Sequence, residues 1–137
     1  MMVGRMRIGS QETRVAAVTF SNYAQTRIPL NKYNSLEPLQ TAVMDLPYSG
    51  GRTNTTGALR LARTEVFTQA NGDRPNVKNI IVLITDGYTT VEAGKLLSDE
   101  ILRVKDADIT VFGKRSQVNS MCLLDWESHN CQQCKYV

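Results

Sequence analysis

The segment Asn79–Thr85 constrains the fold of this chain more than any other. It reads Asn-Ile-Ile-Val-Leu-Ile-Thr, with five apolar residues in succession. A short, continuous run of β-branched and aliphatic residues is typical of a strand that is buried on both faces of a sheet. Asp86-Gly87 follows directly, and glycine allows a sharp turn. We therefore predict a fully buried strand that ends at Thr85.

Similar runs alternate with helical patterns along the rest of the chain. Further strands are predicted over 14–20, over 25–30 as an edge strand because Pro29 cannot donate to a ladder, over 109–112 where Gly113 closes it, and from 135. Helical spacing of apolar residues predicts helices over 35–46, 58–67, 91–105 and 119–128. Alternating strands and helices predict an α/β fold, a doubly wound, Rossmann-like and mostly parallel sheet with helices on both faces.

Composition narrows the function classes. With 137 residues the chain has the size of one domain. Lys and Arg number 16 against 13 Asp and Glu, and the basic residues are scattered, whereas nucleic-acid binding needs a clustered basic face. No apolar stretch approaches the roughly 18 residues of a membrane span. The start, Met1–Arg7, has charge without the apolar run of a signal peptide. We predict neither a nucleic-acid partner nor a membrane span.

The three cysteines, Cys122, Cys131 and Cys134, lie near the end of the chain together with His129. Their spacing imitates half of a zinc site, but structural zinc sites usually combine two such halves. A disulfide among these cysteines, with the third left over, is the simpler interpretation. In a secreted protein the odd cysteine would pair elsewhere.

Ligands of doubly wound folds bind at the carboxyl ends of the strands. The two most polar loops predicted there are 49–57, rich in Gly, Ser and Thr, and 85–90, which contains Asp86. Hydroxyls with a carboxylate form a hard-oxygen set that suits magnesium, calcium or manganese. The first loop lacks the Lys-Ser/Thr ending of a phosphate-binding loop, and the chain has no G-x-S-x-G motif and a single histidine far from both loops. We therefore predict that the chain is not an enzyme.

Three blocks of residues, in order, resemble a known family. They are Arg-Val-Ala-Ala-Val-Thr-Phe-Ser at 14–21, Gly-Gly-Arg-Thr-Asn-Thr-Thr-Gly-Ala-Leu at 50–59 and Ile-Ile-Val-Leu-Ile-Thr-Asp-Gly at 80–87. They look like the von Willebrand factor type A domain, and the resemblance is strongest to A domains of extracellular matrix proteins such as matrilins, non-fibrillar collagens and mollusc shell-matrix proteins. It covers residues 7–137, which we interpret as a partial A domain.

The resemblance implies a metal-ion-dependent adhesion site. In the family, one loop supplies Asp-x-Ser-x-Ser, a second a threonine and a third an aspartate. Thr53 matches the threonine and Asp86 the aspartate. The ion is Mg²⁺ or Ca²⁺ in an intact relative, and an acidic residue of the partner completes its coordination shell. The resemblance thus implies a secreted, extracellular adhesion module that recognises matrix proteins, collagen-like or glycoprotein, through an acidic residue.

The chain also departs from the family. It contains no Asp-x-Ser-x-Ser, and residues 5–10 look like the tail of the family's first helix. We therefore expect an N-terminally truncated domain without the first strand, which would lie between 14–20 and 79–85, and without the last helix. Each orphaned backbone group would cost about 1–3 kcal/mol. With two ligands of five, we expect no tightly bound metal.

Two alternatives remain open at this point. The first is a structural remnant or splice fragment without a ligand of its own. The second is an intracellular magnesium-dependent assembly subunit, which free thiols at the three cysteines would favour. Asn54-Thr55-Thr56 reads as a glycosylation sequon. We interpret it as a chance match, because a glycan there would crowd the metal loop.

Overall fold

The computed structural model describes residues 6–85, 89 and 97–115. Its elements are, in order, β1 (Ala17–Phe20), β2 (Ala24–Ile28), α1 (Leu36–Met44), α2 (Thr55–Leu61), a π-helical turn (Ala62–Val66), a 3₁₀ turn (Gln69–Asn71), β3 (Asn79–Thr85), α3 (Leu97–Asp106) and β4 (Ile109–Arg115). The helix predicted over 119–128, the strand predicted from 135 and the part of the predicted helix before residue 97 lie outside the described residues.

The strands form two ladders. β3 and β4 are parallel and pair in register from Asn79 with Ile109 to Thr85 with Arg115, and α3 is the crossover between them. β1 and β2 are antiparallel, with an irregularity between Ala17 and Val18. A parallel pair joined through a helix confirms the Rossmann-like α/β class. Within the described residues no ladder joins β1 to β3, which is where the family resemblance places a central strand.

The core lies between the helices and one face of the β3–β4 ladder. Leu59 of α2, Val104 of α3 and Ile109 of β4 are its buried centre, and partly buried apolar residues pack around them: Phe67, Ile81, Leu97, Ile101 and Val111. Leu97, Ile101 and Val104 stand at helical spacing, so that α3 presents one apolar stripe to the ladder. Burying a side chain of this size contributes about 1.5–3 kcal/mol.

Two strand predictions are corrected. β3 is not fully buried, because burial alternates along it and Ile80, Val82 and Ile84 are half-exposed. The described helices α2 and α3 cover only the opposite face of this strand. Gly113 does not close β4 either. It pairs with Leu83 and the strand continues to Arg115, since a parallel ladder uses backbone groups that glycine also carries.

The expected helix tail over 5–10 is also wrong for its described residues, 6–10. These residues form bends and an isolated bridge between Ile8 and Thr13. Two arginines from outside the segment contact its last residue. Arg14 donates to the carbonyl of Ser10 at 3.0 Å and to that of Gly72 at 2.7 Å, and Arg74 donates to the carbonyls of Ser10 and Glu12 at 3.5 and 2.6 Å. Contacts that span about sixty residues therefore decide this conformation rather than local helical spacing.

Candidate metal-binding loops

The glycine-rich loop 49–57 is fixed against the turn that follows β1. The backbone N–H of Asn54 donates to the carbonyl of Ser21 at 2.9 Å, and its side-chain amide donates to the carbonyl of Asn22 at 3.3 Å. The backbone N–H of Arg52 donates to the Asn22 side chain at 3.0 Å. Thr53 is half-buried between these two anchored residues. Its place at the carboxyl end of β1 thus follows from hydrogen bonds on both sides.

Gly51 makes this approach sterically feasible. Its φ of 125° lies in a region that side chains rarely adopt. A Cβ at this position would also stand 3.0 Å from the side-chain oxygen of Asn22, the atom that accepts from Arg52. A glycine is therefore required where the loop passes the β1–β2 turn.

Asn54 caps the N-terminus of helix α2. Its side-chain oxygen accepts a hydrogen bond of 2.7 Å from the backbone N–H of Gly57, which is the contact of a helix N-cap. The residue is buried, and both ends of its amide are engaged. A glycan on Asn54 would displace these contacts, which supports the interpretation of the sequon as a chance match.

The two polar loops meet at a pair of threonines. The hydroxyl of Thr89, in the loop after β3, donates to that of Thr55, the first residue of α2, at 2.8 Å. Thr55 is buried and Thr89 half-buried. The contact joins loop 85–90 to loop 49–57. We call these two loops, together with the turn that follows β1, the rim. Asp86 lies outside the described residues, so its pairing with Thr53 stays a prediction.

The family is decided by sequence comparison. A sequence profile of the von Willebrand factor type A domain matches residues 1–119, most of the chain. The chain belongs to the von Willebrand factor type A domain family. This A domain is 34% identical to the collagen alpha-5(VI) chain of Mus musculus over 93 residues, which are 68% of this chain and 4% of that one. It is 31% identical to integrin alpha-2 of Mus musculus over 107 residues, 77% of this chain and 9% of that one.

Solved structures agree with this assignment. The A domain is similar to proximal thread matrix protein 1 from the mussel byssus, with a TM-score of 0.74 and 27% identity over 82% of this chain and 29% of that one. A second structure of that protein, with a zinc-occupied MIDAS motif, gives a TM-score of 0.70 at 29% identity and covers 77% and 26%. The chain thus spans less than a third of the length of each of these relatives.

The donor chemistry of the rim fits a hard cation. Hydroxyl oxygens of loop 49–57 are ligands of the kind that Mg²⁺ and Ca²⁺ take. The described part of the chain contains no group of three or more His, Cys, Asp or Glu that could hold a metal ion. Asp86, the acidic ligand that the sequence predicts for this rim, lies outside the described residues. Cys122, Cys131, Cys134 and His129 lie outside the described residues, so the zinc and disulfide alternatives stay predictions.

Sequence reasoning missed the residues that brace the rim. Asn54 has a sequence signal, since Asn is a preferred N-cap and stands three residues before the N–H that it binds. Asn22 and Thr89 have none, because their partners, Arg52 and Thr55, are at least thirty residues away.

In the described residues no helix is long and apolar enough to cross a bilayer.

Proposed function

We propose that this A domain is a protein-interaction module of the extracellular matrix and adhesion type, and that loops 49–57 and 85–90 form its receptor surface. The hydrogen bond between Thr55 and Thr89 supports this proposal most directly, because it holds the two loops together at one rim. A domains of collagens and integrins are adhesion modules rather than enzymes, and both kinds of protein are relatives of this chain.

The rim would engage a partner carboxylate through a divalent cation. In this proposal the Thr53 hydroxyl and the Asp86 carboxylate are the protein ligands of Mg²⁺ or Ca²⁺, and an acidic side chain of the partner occupies a further position. The sequence of this chain has no Asp-x-Ser-x-Ser to add ligands. Two protein ligands give a weak site, so we propose that the chain binds the ion no more tightly than in the millimolar range.

Two exposed tyrosines flank the rim and suit contact with a partner protein. Tyr48 is 95% exposed and directly precedes loop 49–57, and Tyr23 is 80% exposed in the turn that braces this loop. A pocket of about 190 Å³ is lined by Tyr23, Ser21 and Ser49, among others. Tyrosine is enriched among residues that dominate interface energies because it buries a large, rigid ring and keeps a polar end.

The test is binding to a triple-helical collagen peptide that presents glutamate, with a matched peptide that carries glutamine. Titrations with millimolar magnesium and with chelator separate the cation-dependent part. We expect stronger binding to the glutamate peptide, loss of that difference with chelator, and weaker binding by Thr53→Ala and Tyr48→Ala. Ser98→Ala, at an exposed position of α3, is the control. Equal binding of both peptides, unaffected by chelator and by Thr53→Ala, would contradict the proposal.

The extracellular setting has its own test. A disulfide between two of the three cysteines, Cys122, Cys131 and Cys134, is expected in protein secreted from eukaryotic cells, because disulfides persist outside the cytosol. Thiol titration of the native protein gives the answer. Three free thiols would favour the intracellular assembly subunit instead.

A further inference from the structure

The least expected buried group of the molecule is the carboxylate of Glu100 in α3. Its side chain is only 1% exposed. The Nε of Arg63 donates to its Oε1 at 2.9 Å, while Nε of Arg60 and Nη1 of Arg103 lie 3.6 and 3.7 Å from its Oε2. Three arginines, from α2, the π-helical turn and α3, thus converge on one acid. We call Arg60, Arg63 and Arg103 the arginine cluster.

One carboxylate cannot neutralise three guanidinium groups. Guanidinium stays protonated at any pH that a protein survives, so the cluster with Glu100 carries two surplus positive charges. The side chains of Arg60, Arg63 and Arg103 are 33%, 24% and 62% exposed. The ion pairs that Arg60 and Arg63 make here use Nε, one of the five N–H donors of each group. Donors therefore remain for a ligand from solvent.

We propose that the arginine cluster is a binding site for the sulfate or phosphate groups of a polyanion, with Glu100 as its positioning residue. The planar fork of guanidinium matches such oxyanions in two-point hydrogen bonds. Glu100 holds Arg63, and more loosely Arg60 and Arg103, so less side-chain freedom is lost on binding. The extracellular setting proposed above favours a sulfated polysaccharide over a nucleic acid. Asp99 and Asp106 of α3 lower the local potential, so binding is moderate and salt-sensitive.

This site is separate from the candidate metal-binding loops. Loop 49–57 leads into the N-terminus of α2, whereas Arg60 and Arg63 stand at its C-terminal end and in the turn after it. Binding of a polyanion should therefore be indifferent to chelator and to Thr53→Ala. A failure of the adhesion proposal and a failure of this one give different results.

The experiment titrates the full chain with heparin as the probe, at several salt concentrations. Arg103→Gln leaves the contact between Arg63 and Glu100 intact, and its matched control is Arg7→Gln, which removes an exposed arginine that is also paired with a glutamate. We expect a two- to fivefold loss of affinity for Arg103→Gln, about the scale of one exposed ion pair, and a shallower salt dependence. Arg7→Gln should bind as the parent does.

A second pair of variants tests the sign of the charge effect. Glu100→Gln keeps an oxygen that accepts from Arg63 but removes the negative charge inside the cluster, so it is expected to tighten heparin binding. Glu12→Gln, at the exposed acid that pairs with Arg7, is not expected to do so. Should Glu100→Gln fail to fold, as judged by circular dichroism, the double variant Arg60→Gln/Arg103→Gln replaces it, with a larger loss than either single change. Equal losses for Arg103→Gln and Arg7→Gln would overturn the site. Duplex DNA that binds as tightly as heparin at equal salt would overturn the choice of a sulfated polysaccharide.

Discussion

The hydroxyl of Thr89 donates a hydrogen bond of 2.8 Å to the hydroxyl of Thr55, 34 residues earlier in the chain. Thr55 begins α2 directly after Asn54, and Asn54 is bonded to the turn that follows β1. One line of contacts therefore runs from the end of β1 through the glycine-rich loop to the loop after β3. The polar rim of this A domain is held together by that line.

The threonine pair should show energetic coupling. Thr55→Val and Thr89→Val each remove one hydroxyl with little change of shape, and each should lower the free energy of unfolding by about 0.5–1.5 kcal/mol. Because each change breaks the same bond, the free energy of unfolding lost in the double variant should be smaller than the sum of the losses in the two single variants. Urea unfolding of the four proteins measures this coupling. Strict additivity would mean that the two loops do not depend on each other.

Replacing Asn54 should destabilise α2. Asn54→Ala removes the N-cap contact to Gly57 and the bond to Asn22, and we expect a loss of about 1–2 kcal/mol. Asn54→Asp keeps an oxygen acceptor for Gly57 and should lose less. Asn34→Ala, at an exposed position, is the control. Chemical denaturation is the measurement, and a loss for Asn54→Ala no larger than that of the control would contradict the assignment of the cap.

Gly57→Ala should destabilise the protein although alanine is the better helix former. A Cβ at Gly57 would lie 2.8 Å from the side chain of Asn54, so the cap must shift, and a loss of about 1–3 kcal/mol is expected. In an Asn54→Ala background this clash is gone. There the same change should be neutral or stabilising by up to about 1 kcal/mol. Thermal unfolding of the two pairs tests the reversal of sign.

Arg63 should matter more for stability than Arg103, although both contact Glu100. Arg63 donates at 2.9 Å to this buried carboxylate, so Arg63→Ala leaves it poorly paired, and we expect a loss of about 2–4 kcal/mol. Arg103 is largely exposed, and Arg103→Ala should lose about 1 kcal/mol or less. Equal losses in urea unfolding would show that Arg63 is not the principal partner.

The chain should bind magnesium and calcium weakly. Isothermal titration is expected to give dissociation constants in the millimolar range or above, because the sequence supplies Thr53 and Asp86 without Asp-x-Ser-x-Ser. Thr53→Val should weaken the signal further, while Thr68→Val, directly before the 3₁₀ turn, should leave it unchanged. A micromolar dissociation constant for magnesium or calcium would contradict the prediction that the chain supplies only part of the ligand set.

Local sequence patterns predicted the elements whose contacts are local. The apolar run Asn79–Thr85 predicted β3 to the residue. Helical spacing predicted α1, α3 and the unit of α2 with its π-helical turn to within a few residues where these are described. Of the two polar loops expected at strand ends, loop 49–57 instead follows α1, and it reaches the carboxyl end of β1 through hydrogen bonds to Ser21 and Asn22. The family blocks then predicted Thr53 and Asp86 as metal ligands, of which Asp86 lies outside the described residues.

The sequence by itself determined which segments form strands and helices, because hydrophobic periodicity and breakers act over a few residues. Only the tertiary structure decided which face of β3 is covered, how residues 6–14 are held by Arg14 and Arg74, and that Glu100 gathers three arginines. It also decided that Thr89 meets Thr55. These contacts join residues far apart in the chain, and no short-range pattern encodes which of many polar side chains will meet once the core has packed.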